Sequence, residues 1–179
     1  MSETVQERKI NSTSNLRFRA PRPEDGVAVW RTVCEAGTLE PNTSYFYLIF
    51  CTDFSDTCLI ALDGDDIAGV LVGYQPPNEP KTAFCWQIGV LPAWRGQGLG
   101  KRMLSSWLDL PGNQDVQWVT ATVADDNEAS EHLFQSFAKS LGVTCSVTPH
   151  FTEHHFPPGH SPEPMYRIGP INRDARLRV

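Results

Sequence analysis

Three glycines, Gly96, Gly98 and Gly100, fall within five positions of the segment GVLPAWRGQGLGKRML, residues 89–104, flanked by Arg95 and Lys101. Glycine lets a backbone approach a ligand with no side chain in the way and lets it adopt φ above zero. Basic residues beside a helix start suit an anion, because the first N–H groups of a helix have no partner within it and lie at the positive end of its dipole. Two phosphate loops can be excluded by spacing. A Walker loop needs glycine five residues before Gly100-Lys101 and Ser or Thr after the lysine, where the chain has Arg95 and Arg102. A dinucleotide fingerprint needs glycine three places after its second glycine, where the chain has Lys101 or Met103. What remains is Arg-x-x-Gly-x-Gly, formed by Arg95, Gly98 and Gly100.

A second concentration of chemistry lies in PHFTEHHFPPGHSPEP, which carries His150, His154, His155 and His160. Four histidines invite a metal, yet zinc frameworks pair their ligands at fixed spacings on firm elements. This run is interrupted by prolines and has no cysteine pair nearby, so no metal is expected.

These residues need a scaffold, and the apolar periodicities supply one. LRFRA (16–20) reads as a short strand, followed by a helix from Val27 to about Ala36 with Asp25 as its cap and Val29, Trp30, Val33 and Cys34 buried. Ser44 caps a second helix, YFYLIFCTDF, and TCLIALDGDDIAGVLVGY is a β-hairpin turning at DGDD. TAFCWQIGV, apolar on both faces, belongs in the middle of a sheet. After the glycine segment comes a helix burying Met103, Leu104, Trp107 and Leu108. A strand VQWVTATV, a helix ending at Gly142, a strand VTCSV and a last strand PMYRIG that closes the sheet complete the chain. The order β-α-α-β-β-β-α-β-α-β-β predicts an α/β (α+β) fold with a mixed sheet and helices on both faces. One domain, 15–170, is expected between tails at 1–14 and 171–179.

A chain of 179 residues, 40% hydrophobic with net charge −6, has a core for one domain and lacks the basic excess of a nucleic-acid binder. No apolar run resembles a signal peptide or a membrane span, and the five cysteines show no paired spacing. Reduced thiols in the cytoplasm, with no nucleic-acid or membrane partner, follow as expectations.

The segment IGVLPAWRGQGLGKRML resembles the acetyl-CoA-binding segment of the GNAT superfamily of N-acetyltransferases. The resemblance implies a twisted, mostly antiparallel mixed sheet, splayed where the cofactor's pantetheine arm inserts as an extra strand would. Acetyl-CoA would then contact Ile88 and Val90 on the strand and Arg95, Gly96, Gln97, Gly98, Leu99, Gly100 and Lys101 in the loop. ATVADDNEASEHLFQSFAKSLG resembles the segment after the splay, with Asn127 bonding pantetheine or nearby backbone and Ser130 close to the cofactor. Many members carry a tyrosine seven residues after that asparagine, as the acid that protonates the departing thiolate; this chain has Phe134. Tyr45, Tyr47 or water are the alternatives.

Within the superfamily, AGTLEPNTSYFYLIF, GYQPPNEPKTAFCWQIGVLP and FPPGHSPEPMYRIGP resemble the L-2,4-diaminobutyrate acetyltransferases of ectoine biosynthesis, over nearly all of Leu16 to Pro170. This implies acetylation of the γ-amine of L-2,4-diaminobutyrate by direct attack on the thioester, in a homodimer. That substrate has two ammonium groups and one carboxylate, so its pocket needs acids, an anion partner and a base. Glu40 and Asn42 lie in the loop that borders the acceptor site in this fold. Trp86 either walls the pocket by cation–π contact or packs in the core. The histidine loop closes over the acceptor, with His160 and Glu163 as substrate-binding residues and candidates to take the proton. Two other readings remain: a GNAT enzyme for another small amine, and a non-catalytic acyl-CoA-binding module.

Overall fold

The structure, a computed structural model, describes residues 16–172. The expected N-terminal tail and all but two residues of the expected C-terminal tail lie outside them. Of those two, Ile171 is 5% exposed and its N–H donates to the Gln117 carbonyl at 2.8 Å, so the packed chain runs past the expected boundary at 170.

The elements follow in the predicted order: β1 (Arg17–Arg19), α1 (Gly26–Ala36), α2 (Ser44–Thr52), β2 (Leu59–Asp63), β3 (Asp66–Tyr74), β4 (Thr82–Val90), α3 (Leu99–Leu108), β5 (Trp118–Thr122), α4 (Glu128–Leu141), β6 (Thr144–Phe151) and β7 (Glu163–Gly169). Two helix starts differ in detail. The hydroxyl of Thr43, not Ser44, caps α2 by accepting the Phe46 N–H at 3.3 Å. Asp25 precedes α1 without capping it; its carboxylate accepts the Arg22 N–H at 2.6 Å and the Arg19 guanidinium at 2.7 Å, closing the turn before the helix. Cys34, expected on the buried face of α1, is exposed, and Thr32 and Ala36 take the core side with Val29 and Val33.

One seven-stranded sheet runs in the order β1-β2-β3-β4-β5-β7-β6, with β4 at its centre and β4–β5 as the one parallel pair. β7 does not close the sheet as expected. It inserts antiparallel between β5 and β6, because it carries buried Tyr166 and Ile168, whereas β6 is exposed along most of its length and tolerates the edge. The two faces of each central strand serve two cores. Ile60, Val70 and Val72 pack under α1 and α2 with Val33, Tyr47 and Phe50. Leu59, Leu71 and Val119 pack under α3 and α4 with Met103, Leu104, Trp107 and Phe137. Burying each of the larger of these side chains contributes about 1.5–3 kcal/mol.

The site is created by an irregularity in β4. Val72 pairs with Gln87 but Gly73 with Cys85, so Trp86 is an extra residue, a β-bulge. Gly73 has no room for a side chain there: a Cβ would lie 2.5 Å from the Trp107 ring. A bulge bends its strand, and β4 parts from β5 close by. The last pair is Phe84 with Thr120, although β4 continues to Val90 and β5 to Thr122.

Candidate active site

The gap between β4 and β5 opens into a cleft of about 1610 Å³. It brings together Glu40, Asn42, Trp86, Ile88, Asn127, Ser130, His160 and Glu163, drawn from four regions of the chain. Val90 and residues 95–101 do not line this cleft; Val90 ends β4 and the loop follows it.

In that loop, Gly96 and Gly98 have φ of +71° and +73°, and a Cβ on either would meet nothing within 4 Å. Backbone conformation requires glycine at both, and the space before them is open. Gly100 serves packing instead, since its Cβ would lie 3.2 Å from Leu133 of α4, and Leu99 is a core anchor, 1% exposed. The first i→i−4 bond of α3 runs from Arg102 N to Gly98 O at 3.2 Å. The N–H groups of Leu99, Gly100 and Lys101 therefore have no partner inside the helix. Lys101 is exposed beside them. Gln97 donates to the Ala93 carbonyl at 3.0 Å. Arg95 is a strut: its guanidinium donates to the Val90 carbonyl at 3.1 Å and to the Ala36 carbonyl at the end of α1. The donor set left for a diphosphate is main-chain N–H plus Lys101, which fits the phosphate end of acetyl-CoA.

Asn127 bonds nearby backbone, its Oδ1 accepting the Ser130 N–H at 3.1 Å and so capping α4. Phe134 is 3% exposed and lines the cleft. Neither tyrosine considered as a thiolate acid faces the gap. Tyr45 is 68% exposed outside the cleft lining, and Tyr47 is fully buried with its hydroxyl engaged by Asn42 and Gln87. Cys85 does line the cleft, but burial pushes its thiol pKa up and keeps the proton on sulfur.

Trp86 is 47% exposed and lines the cleft, so it is not part of the core; it meets Phe46, Phe50 and Tyr74 at ring-centroid distances of 5.0, 5.9 and 6.2 Å. His160 stacks on Phe156 at 3.9 Å, and its Nδ1–H donates to the Ser161 carbonyl at 2.7 Å. A carbonyl can only accept, so in the neutral ring Nε2 carries the lone pair. That nitrogen lies 3.8 Å from Oε1 of Glu163, whose Oε2 accepts the Thr122 hydroxyl at 2.6 Å. Two acceptors thus converge on one place, an arrangement that an ammonium's several N–H donors would satisfy.

The cleft's charged lining consists of Glu40, Glu79, Asp126 and Glu163 against one guanidinium, Arg167. Arg167 donates to Glu79 at 2.9 Å and lies 4.4 Å over the Trp118 ring, and its hydrogen bond holds the Glu79 carboxyl below the usual carboxylate range. The excess of acid suits a substrate with more than one positive charge. His154 and His155 are exposed, and among the described residues no group of three or more His, Cys, Asp or Glu is placed to hold a metal. Sequence reasoning missed Gln87, Thr122 and Arg167, and named Tyr47 only as a candidate thiolate acid. Gln87 carried a signal, as the one amide in an apolar strand, because a buried amide must find partners.

A sheet splayed beside its central strand, a glycine turn opening the next helix and an acidic cleft through the splay are the marks of an acyl-CoA-dependent N-acyltransferase. The chain belongs to the acetyltransferase (GNAT) family, whose model matches residues 26–138. Its relatives include the L-2,4-diaminobutyric acid acetyltransferase of Shouchella clausii, 38% identical over 160 residues and covering 89% of each chain. That of Virgibacillus pantothenticus is 40% identical over 154 residues, covering 86% of this chain and 97% of the other. Among solved structures, diaminobutyrate acetyltransferase EctA from Paenibacillus lautus, in complex with its substrate L-2,4-diaminobutyric acid and coenzyme A, superposes with a TM-score of 0.83 at 34% identity. The match covers 89% of this chain and 97% of that one.

Proposed function

We propose that this chain transfers the acetyl group of acetyl-CoA to the γ-amine of L-2,4-diaminobutyrate, giving N4-acetyl-L-2,4-diaminobutyrate in ectoine biosynthesis. The convergence of His160 Nε2 and Glu163 Oε1 within the acidic cleft carries this reading, alongside the named relatives.

Bound acetyl-CoA supplies the acetyl group and a thiol leaving group. Lys101 and the main-chain N–H groups of the glycine turn hold the phosphate end, and the free edge of β4 beyond Trp86 pairs with the pantetheine arm. Glu40 and Asn42 take the α-ammonium and carboxylate of the acceptor, with Trp86 as a wall. An alkyl ammonium has a pKa of roughly 10.4, and surrounding carboxylates favour its charged form, so a base must take the proton as attack begins. His160 Nε2 and Glu163 Oε1 are the two acceptors in reach of one another, and either receives it. The amine lone pair then forms the C–N bond as the C–S bond breaks, and the second proton that the nitrogen sheds passes, through water, to the departing thiolate. Direct attack, without relay through Cys85, is favoured because a buried thiol is a poor nucleophile.

Thiol release from acetyl-CoA, measured with diaminobutyrate, ornithine, lysine and spermidine, tests the assignment. Diaminobutyrate should give the highest kcat/KM; a higher value with another amine, or acetyl-CoA binding without turnover of any, would overturn it. The same reading places the enzyme in the cytoplasm, as a homodimer. No helix among the described residues is long and apolar enough to cross a membrane. Val147 and Phe151, 47% and 39% exposed on edge strand β6, favour a second copy as a neighbour. Light scattering should return about twice the 20.0 kDa of one chain, and a monomer mass would refute the dimer.

A further inference from the structure

The loop between α1 and α2 is fastened to β4 at Leu39 and Glu40, and through Tyr47 of α2 at Asn42. The side chain of Leu39 sits over Gly89, its Cδ1 2.9 Å from where a Cβ would stand. The carbonyl of Glu40 accepts the Gln87 side-chain N–H at 2.8 Å. The N–H of Asn42 donates to the Tyr47 hydroxyl at 3.1 Å, which in turn donates to Gln87 Oε1 at 3.0 Å. Tyr47 is 0% and Gln87 6% exposed, so these bonds are shielded from competing water. The backbone of Glu40 and Asn42 is thus fixed by a buried pair, while both residues line the cleft. The bulge at Trp86 sets the register of β4 at Gln87, bringing that amide into reach of α2 and the loop.

We propose that Tyr47 and Gln87 are positioning residues that determine the length of amine accepted, by holding Glu40 at a fixed separation from the His160–Glu163 pair. The inference rests on the proposed acetylation of a diamino acid. A diamino acid spans the two anchor points with its α- and side-chain ammonium groups. Each added methylene displaces one group from its partner if the loop is rigid, and is absorbed if the loop can move.

Two substitutions loosen the loop while keeping Glu40, Asn42, His160 and Glu163. Tyr47→Phe removes the hydroxyl and keeps the ring. Gln87→Glu keeps an acceptor for Tyr47 but removes the donor to the Glu40 carbonyl. Steady-state thiol release is measured with diaminobutyrate and with ornithine, one methylene longer, and acetyl-CoA affinity by calorimetry. Because one methylene in a fitted pocket is discriminated by about 10–200-fold, the kcat/KM ratio of diaminobutyrate to ornithine should fall by about tenfold or more. The KM for diaminobutyrate should rise while the Kd for acetyl-CoA stays unchanged. A merely structural role would lower Tm and leave the ratio alone. An unchanged ratio in a Tyr47→Phe variant that still binds acetyl-CoA overturns the inference and leaves the proposed function standing. Absence of thiol release by the unaltered chain with either amine overturns both.

Discussion

Replacing Glu163 by glutamine separates charge from shape at the place where two acceptors converge. The amide oxygen of the new side chain can still accept the Thr122 hydroxyl, now 2.6 Å from Oε2, and its NH2 group can face the His160 Nε2 lone pair, now 3.8 Å from Oε1. Both neighbours stay satisfied, so the fold should hold, with Tm shifted little. On the proposed function, what disappears is a negative charge facing the substrate ammonium and one of the two sites proposed to take its proton. A charge-assisted hydrogen bond contributes about 1.5–3 kcal/mol, which lowers kcat/KM for diaminobutyrate by roughly ten- to a hundredfold. Acetyl-CoA binding should be unaffected, because the side chain of Glu163 engages Thr122 and His160 and neither the glycine turn nor the free edge of β4. Steady-state thiol release with diaminobutyrate varied, together with calorimetric titration of acetyl-CoA, measures the two separately. Unchanged kcat/KM would show Glu163 to be a solvated strand-end residue and refute the assignment of the acceptor site. A loss of acetyl-CoA affinity as large as the loss of activity would show a general disturbance instead.

Three other outcomes follow from the same geometry. Gly98→Val puts a β-branched residue at φ +73° and a side chain into the open space before α3; acetyl-CoA Kd by calorimetry should rise at least about tenfold if phosphate binds there, at a folding cost of about 1–2 kcal/mol. The Arg19 guanidinium holds the Asp25 carboxyl below its ordinary range, so the pair's stabilisation is present above about pH 4 and is lost as pH falls through the lower folded-state value. Asp25→Asn should therefore lower Tm at pH 7, by the equivalent of about 1 kcal/mol given the water around both side chains, and the difference should shrink as the carboxyl of the unaltered chain becomes protonated in acid; a pH-independent difference would be contrary. Burial pushes the thiols of Cys51 and Cys58 up to about 12, and Cys34 is exposed; a thiol reagent should label Cys34 fast in the native protein and all five cysteines only in denaturant.

The elements were legible because each carries its own period: Met103, Leu104, Trp107 and Leu108 mark one helix face, and the β2–β3 runs alternate between two cores. Errors arose where neighbouring residues offer the same chemistry. Asn42, Thr43 and Ser44 can all cap a helix, and only the packed backbone selects Thr43. The interior place of β7 is a long-range pairing that no local pattern encodes. At the candidate site, φ-demanding Gly96 and Gly98 could be found from spacing, and Glu40 and Glu163 from the family resemblance, but not Glu79 and Asp126, the other two acids of the cleft lining. The bulge at Trp86 could not be read from Gly73 alone, although a glycine inside a strand is a known sign of one. Without it, Gln87 shows only as an amide in need of partners, and its link to the loop across 47 residues of sequence stays hidden.

The splay also leaves this sheet with an edge in its interior. A strand edge is ordinarily a hazard at the outside of a protein, where unpaired N–H and C=O groups recruit another chain; here residues 85–88 carry one at the centre of the sheet, within the lining of the cleft. Whatever pairs with that edge adds main-chain hydrogen bonds that only the folded state can make. By mass action the ligand then becomes part of the protein's stability, adding about 2.7 kcal/mol at a hundred times its Kd. The supply of acetyl-CoA would in this way regulate how long the enzyme lasts as well as how fast it works.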